Sequence, residues 1–136
     1  MADYSTRFSC LFDVGSEENV ADALELYRST PEDEYGDRLS DGFLLSWEKE
    51  DGTQLWIRDD MGGDVERVIK FVLLCAYTFD LKGRWGFQYA NTCTNPNLDG
   101  FGGGAHVVDL SARKTVGWTT TYEWLQDMLA GGDPDA

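Results

Sequence analysis

The chain reads as a single α+β domain, a mainly antiparallel sheet with three helices in the order β-α-β-β-α-β-β-β-α, and three observations carry that reading. Two segments repeat apolar residues at helical spacing, Val20, Ala23, Leu24 and Tyr27 in one and Val68, Ile69, Val72, Leu73 and Ala76 in the other. Short apolar runs at residues 43–48 and 53–58 flank Glu50-Asp51-Gly52, and Asp-Gly between such runs is a strong hairpin signal. The 136 residues, 42% of them hydrophobic, are enough for one well-filled core and too few for two.

Taken in order, residues 8–14 alternate apolar with small or polar side chains and end at Gly15, which predicts a first strand. Ser16 caps the helix that follows, and Glu17 and Glu18 suit the positive end of its dipole. With Val20, Ala23, Leu24 and Tyr27 turned inward, Glu17, Glu18, Asp22 and Glu25 face solvent. Residues 31–42 are punctuated by Pro and Gly and hold five acids, predicting a surface loop before the hairpin. The run from Asp59 to Asp64 lacks the alternation and closing Glu of a calcium loop, so it reads as a polar turn with Asp64 capping a helix from Val65 to about Phe79, the most buried of the three. Strands at residues 84–90, 105–110 and 115–119 come next. Thr120 and Glu123 have capping-box spacing ahead of a final apolar stripe, Tyr122, Leu125, Met128 and Leu129, which Gly131-Gly132 terminates. The domain spans residues 1–130, and residues 131–136 form a flexible acidic tail. Most of the five tryptophans, Trp47, Trp56, Trp85, Trp118 and Trp124, are expected in the core.

Charge carries the functional message. Of 25 acids, 18 lie in residues 1–66 with only five Lys or Arg, giving −13 there and −1 over the remaining 70 residues. Such a surface repels nucleic acid and anionic membrane but attracts a protein whose groove is built to hold phosphate. The expected partner is therefore a protein with a basic nucleic-acid-binding groove. The residues expected to meet it are Glu17, Glu18, Asp22 and Glu25 on the helix and Glu32, Asp33, Glu34, Asp37 and Asp41 on the loop. The plain alternative is that the acidity serves solubility.

Other classes find less support. No run approaches the roughly 18 apolar residues of a membrane span, and Met1-Ala2-Asp3-Tyr4 lacks the basic and apolar regions of a signal peptide, so a cytoplasmic location is expected. Cys10, Cys75 and Cys93 show no disulfide or metal spacing, and one histidine makes a zinc site unexpected; no cofactor or metal is anticipated. Both a monomer and a homodimer are compatible with the sequence. Cys93, His106 and Asp109 could form a nucleophile, base and orienter, with Gly102-Gly103-Gly104 offering N–H groups to an oxyanion, as in a small hydrolase or transferase. Against this, no predicted helix lies behind Cys93 to lower its pKa, and residues three apart on a strand face opposite sides. The expectation is instead that the Asn and Gly residues permit a loop with positive φ, in which His106 hydrogen-bonds and Cys93 packs, and that the protein is not an enzyme.

Tyr89 through Asp109, together with the ending Gly-Gly-Asp-Pro-Asp-Ala, resembles small acidic proteins of unassigned function from bacterial phages, plasmids and integrative elements, most strongly at Ala90-Asn91-Thr92-Cys93 and Phe101-Gly102-Gly103-Gly104-Ala105. The resemblance implies a setting in which accessory proteins counter host defences. In size and charge alone the chain is similar to anti-CRISPR and anti-restriction proteins. The expected function is a non-catalytic inhibitor whose carboxylates stand where phosphates belong. A neighbouring reading is an immunity protein that neutralises a basic nuclease toxin, anchored by Trp47 or Tyr35.

Overall fold

The ten-residue strand β1 (Tyr4–Asp13), which alternates in burial from Arg7 to Asp13, holds the sheet together, because it pairs along different parts of its length with two different neighbours. The computed structural model describes residues 4–32, 36, 38–49, 52–59, 62–93 and 102–131. The other strands are β2 (Leu44–Trp47), β3 (Gln54–Asp59), β4 (Arg84–Cys93), β5 (Gly102–Asp109) and β6 (Lys114–Thr120). They form a six-stranded sheet in the order β2-β3-β1-β4-β5-β6, and every ladder in it is antiparallel. The helices are α1 (Glu17–Ser29), α2 (Val65–Phe79) and α3 (Thr121–Leu129), so the expected element order holds throughout.

β1 pairs with β3 from Phe8 to Asp13 but with β4 only from Tyr4 to Arg7. Past Arg7 the β1–β4 ladder stops, and the Trp85 indole N–H donates to the Leu11 carbonyl oxygen at 2.9 Å, where a ladder bond would otherwise satisfy it. Phe8 and Phe12 face inward with Leu55, Ile57, Phe87 and Val108, beneath Val20 and Ala23 of α1 and Val68, Phe71, Val72, Cys75 and Ala76 of α2. Phe71 is the hub, its ring centroid 6.4 Å from Phe12, 5.5 Å from Phe43 and 6.2 Å from Tyr27. The Tyr27 hydroxyl donates to the Phe43 carbonyl oxygen, so this large side chain packs partly buried against the core with its polar end satisfied.

Both predicted caps on the first two helices are present. Ser16 Oγ accepts from Asn19 N at 3.1 Å, and Asp64 Oδ1 accepts from Glu66 N at 3.0 Å and Arg67 N at 3.3 Å. α2 ends at Asp80, held in the left-handed region at φ 52°.

Three expectations need correction. β4 runs on to Cys93 and β5 begins at Gly102, so the glycine run expected in a loop is strand. A Cβ on Gly103 would fall against the Tyr89 carbonyl oxygen, so glycine is required there for close strand approach as well as for Gly102's φ of 137°. The stripe on α3 is not buried: Tyr122, Leu125 and Leu129 are exposed and no residue of that helix is fully covered. Nor are most tryptophans core, since Trp56, Trp118 and Trp124 are exposed and only Trp47 and Trp85 pack against the core cluster. The predicted tail falls, after Gly131, outside the described residues.

Candidate protein-binding face

The amphipathic stripe fixes how α1 is rotated, and the rotation sets its charge outward. With Val20 and Ala23 fully buried, Glu17, Glu18, Asp22 and Glu25 are all exposed. Glu18, Asp22 and Glu25 follow an i, i+4, i+7 line, about 10 Å along the helix axis. No Lys or Arg occurs between Glu17 and Tyr27; the first is Arg28, in the last turn, where a cation suits the negative end of the helix.

The 3₁₀ turn Leu39–Asp41 packs beside the C-terminal part of α1 by burying Leu39, which leaves Asp41 exposed. The charges of Asp59 and Asp41 both reach the Tyr27 hydroxyl, whose pKa is raised chiefly by burial, then by Asp59 and Asp41, against a lowering by Arg58. Asp59 of β3 and Asp41 of the 3₁₀ turn thus both act on Tyr27, together with the Arg58 cation. Asp13, at the other end of α1, is exposed and accepts from Gly15 N at 2.8 Å. Sequence reasoning did not include Asp13, which lies shortly before the α1 cap, or Asp59, which lies at the far end of the β1–β3 ladder from Asp13.

Of the loop acids, Glu32 is exposed and bridges Arg38 at 3.0 Å, both side chains about half open to solvent. Such a surface pair contributes little to stability and is readily exchanged for a partner's cation. Asp33, Glu34 and Asp37 lie outside the described residues, as does Tyr35. Trp47, the other suggested anchor, is half-buried with its indole N–H donating to the Gly52 carbonyl oxygen at 3.0 Å.

The Cys93–His106–Asp109 arrangement is not assembled. His106 pairs with Phe87 across β4 and β5, six residues from Cys93, so the two backbones stand about 20 Å apart along the strand. His106 Nε2 is 2.8 Å from the Thr115 hydroxyl, not from Asp109, whose Oδ1 accepts from Ala112 N at 3.0 Å. Partial burial lowers the His106 pKa below its ordinary value. A shallow hollow of about 420 Å³ between β1 and β5 has Cys10 and His106 in its lining, flanking Phe87. β4 stands between them, and β1 no longer pairs with it at Cys10, so they are separated by at least two strand spacings, roughly 10 Å, too far for proton transfer. Burial also pushes the Cys10 and Cys75 thiols up to about 12, leaving them protonated at neutral pH. Among the described residues no group of three or more His, Cys, Asp or Glu side chains is placed to hold a metal ion.

No helix is long and apolar enough to cross a membrane among the described residues. Comparison with protein-family models, with curated proteins and with solved structures finds no match.

Proposed function

We propose that this protein is a non-catalytic inhibitor that binds a nucleic-acid-handling protein of a host defence system, of the anti-CRISPR or anti-restriction kind, and fills its basic channel with carboxylates. The observation that supports this reading best is the outer face of α1, where four exposed acids stand with no cation among them and Asp41 lies alongside. A groove that holds phosphates by Lys and Arg attracts such a face at long range, and the seated face then competes with nucleic acid for the groove. Direct nucleic-acid binding is disfavoured by the net charge of −14. The resemblance of residues 90–93 and 101–105 to acidic proteins of mobile elements supplies the defence setting, and the function is exercised in the cytoplasm, where such complexes act.

Charge removal on α1 tests the reading, provided that it spares the helix. Asp22→Lys and Glu25→Lys reverse two mid-helix charges, while Glu17→Gln and Glu18→Gln neutralise the first turn without placing cations at the positive end of the dipole. The quadruple variant keeps Ser16 as cap and is expected to melt within a few degrees of the parent. Tagged parent protein is expected to capture a nucleic-acid-binding complex at low salt and release it at high salt, and the variant to capture none. Equal capture by a folded variant overturns the reading.

A further inference from the structure

The unit formed by β6 and α3 is built unlike the rest of the molecule. Val116, Trp118, Tyr122, Trp124, Leu125 and Leu129 are between 44% and 73% exposed, and α3 packs beside β5 and β6 with no residue fully covered. The N-cap is well made, Thr120 Oγ1 accepting from Glu123 N at 3.1 Å, so α3 is a formed helix with an apolar arc. On a helical wheel Trp124, Met128, Leu125, Leu129 and Tyr122 share one side, and Glu123, Gln126 and Asp127 the other. β6 is a sheet edge seven residues long, with no proline and only Lys114 charged, whereas the opposite edge, β2, is four residues long. Edge strands without such guards pair with other strands.

We propose that this face is an isologous dimer interface, β6 and α3 of one copy against β6 and α3 of a second. Charge selects the occupant. A two-fold interface sets each patch against its own copy, which an acidic patch resists and an apolar, nearly neutral one permits. Residues 102–136 carry five acids and two bases, a balance of −3 against −13 for residues 1–66, so joining at β6 and α3 unites the less acidic ends and leaves the strongly acidic ones apart. Area agrees: the six side chains leave roughly 700 Å² open per copy, close to the ~800 Å² per partner of a standard interface. The dimer presents two α1 faces, which raises the effective affinity for a partner with two basic grooves.

Sedimentation of the full chain over about 1 to 100 μM, a range that brackets micromolar self-association, tests this directly. The parent is expected to reach twice the 15.3 kDa chain mass and to dimerise more tightly as salt rises, because screening relieves repulsion between two acidic chains. Leu129→Glu and Trp118→Lys, at exposed positions on different elements, are each expected to weaken the dimer at least tenfold with an unchanged circular dichroism spectrum. The α1 charge variant is expected to dimerise as well as or better than the parent, which separates this interface from the partner-binding face. A parent that stays monomeric throughout, with the face left to another protein, overturns the proposal, as does a dimer that both substitutions leave intact.

Discussion

Single residues divide sharply into those that hold this fold and those it displays. Phe71 is fully buried and meets Phe12, Phe43 and Tyr27 edge-on or tilted, so Phe71→Ala removes the ring that joins α2 to β1, α1 and the segment before β2. The loss is expected at about 3–5 kcal/mol by urea unfolding, set by the ring's transfer energy plus the cavity left behind. His106 offers a second residue-scale test. Its pKa lies below the ordinary 6.5 in the folded chain because partial burial disfavours the charged ring. The unfolded chain then binds the proton more readily, so the stability contribution is full above pH 6.5 and is lost as pH falls through the folded value. As the sole histidine, it gives one imidazole titration by NMR, expected with a midpoint below 6.5; a midpoint above 6.5 contradicts the burial argument.

Elements show where sequence pattern suffices and where tertiary structure decides. For α2, Asp64 and the Val68 to Ala76 stripe predict both cap and span, and the helix runs from Val65 to Phe79. Asp64→Ala removes acceptors for two otherwise unpaired N–H groups and is expected to cost about 1 kcal/mol in chemical denaturation. β4 and β5 run past their predicted ends because Asn91 and Gly102 to Gly104, weak strand formers alone, are held by cross-strand pairing. In α3 the 3.6-residue period identified an apolar arc correctly but carries no information about what covers it. The same holds for Trp118 and Trp124, whose composition suits a core and an interface equally. The four α1 acids were legible because one buried stripe dictates the opposite face. The approach of Asp41 and Asp59 to Tyr27 was not, since it depends on which strands and turns become neighbours.

At the scale of the whole molecule the charge of −14 is distributed between unlike ends. The α1 side carries four exposed helix acids with Asp41 of the 3₁₀ turn packed beside the helix, while the β6–α3 side is apolar and less acidic. The two ends respond to salt with opposite sign: contact through α1 weakens as ionic strength rises, and self-association through α3 strengthens. Steering by the acidic end also belongs to the on-rate, which should fall with salt more steeply than the off-rate rises. Phosphate mimicry makes one demand that general acidity does not, namely that protein and nucleic acid exclude each other from the partner. The most direct measurement is fluorescence anisotropy of a labelled nucleic acid bound to the captured complex, titrated with this protein. The account predicts displacement of the nucleic acid in step with binding, and none by the α1 variant; a stable ternary complex with the nucleic acid still bound would contradict it.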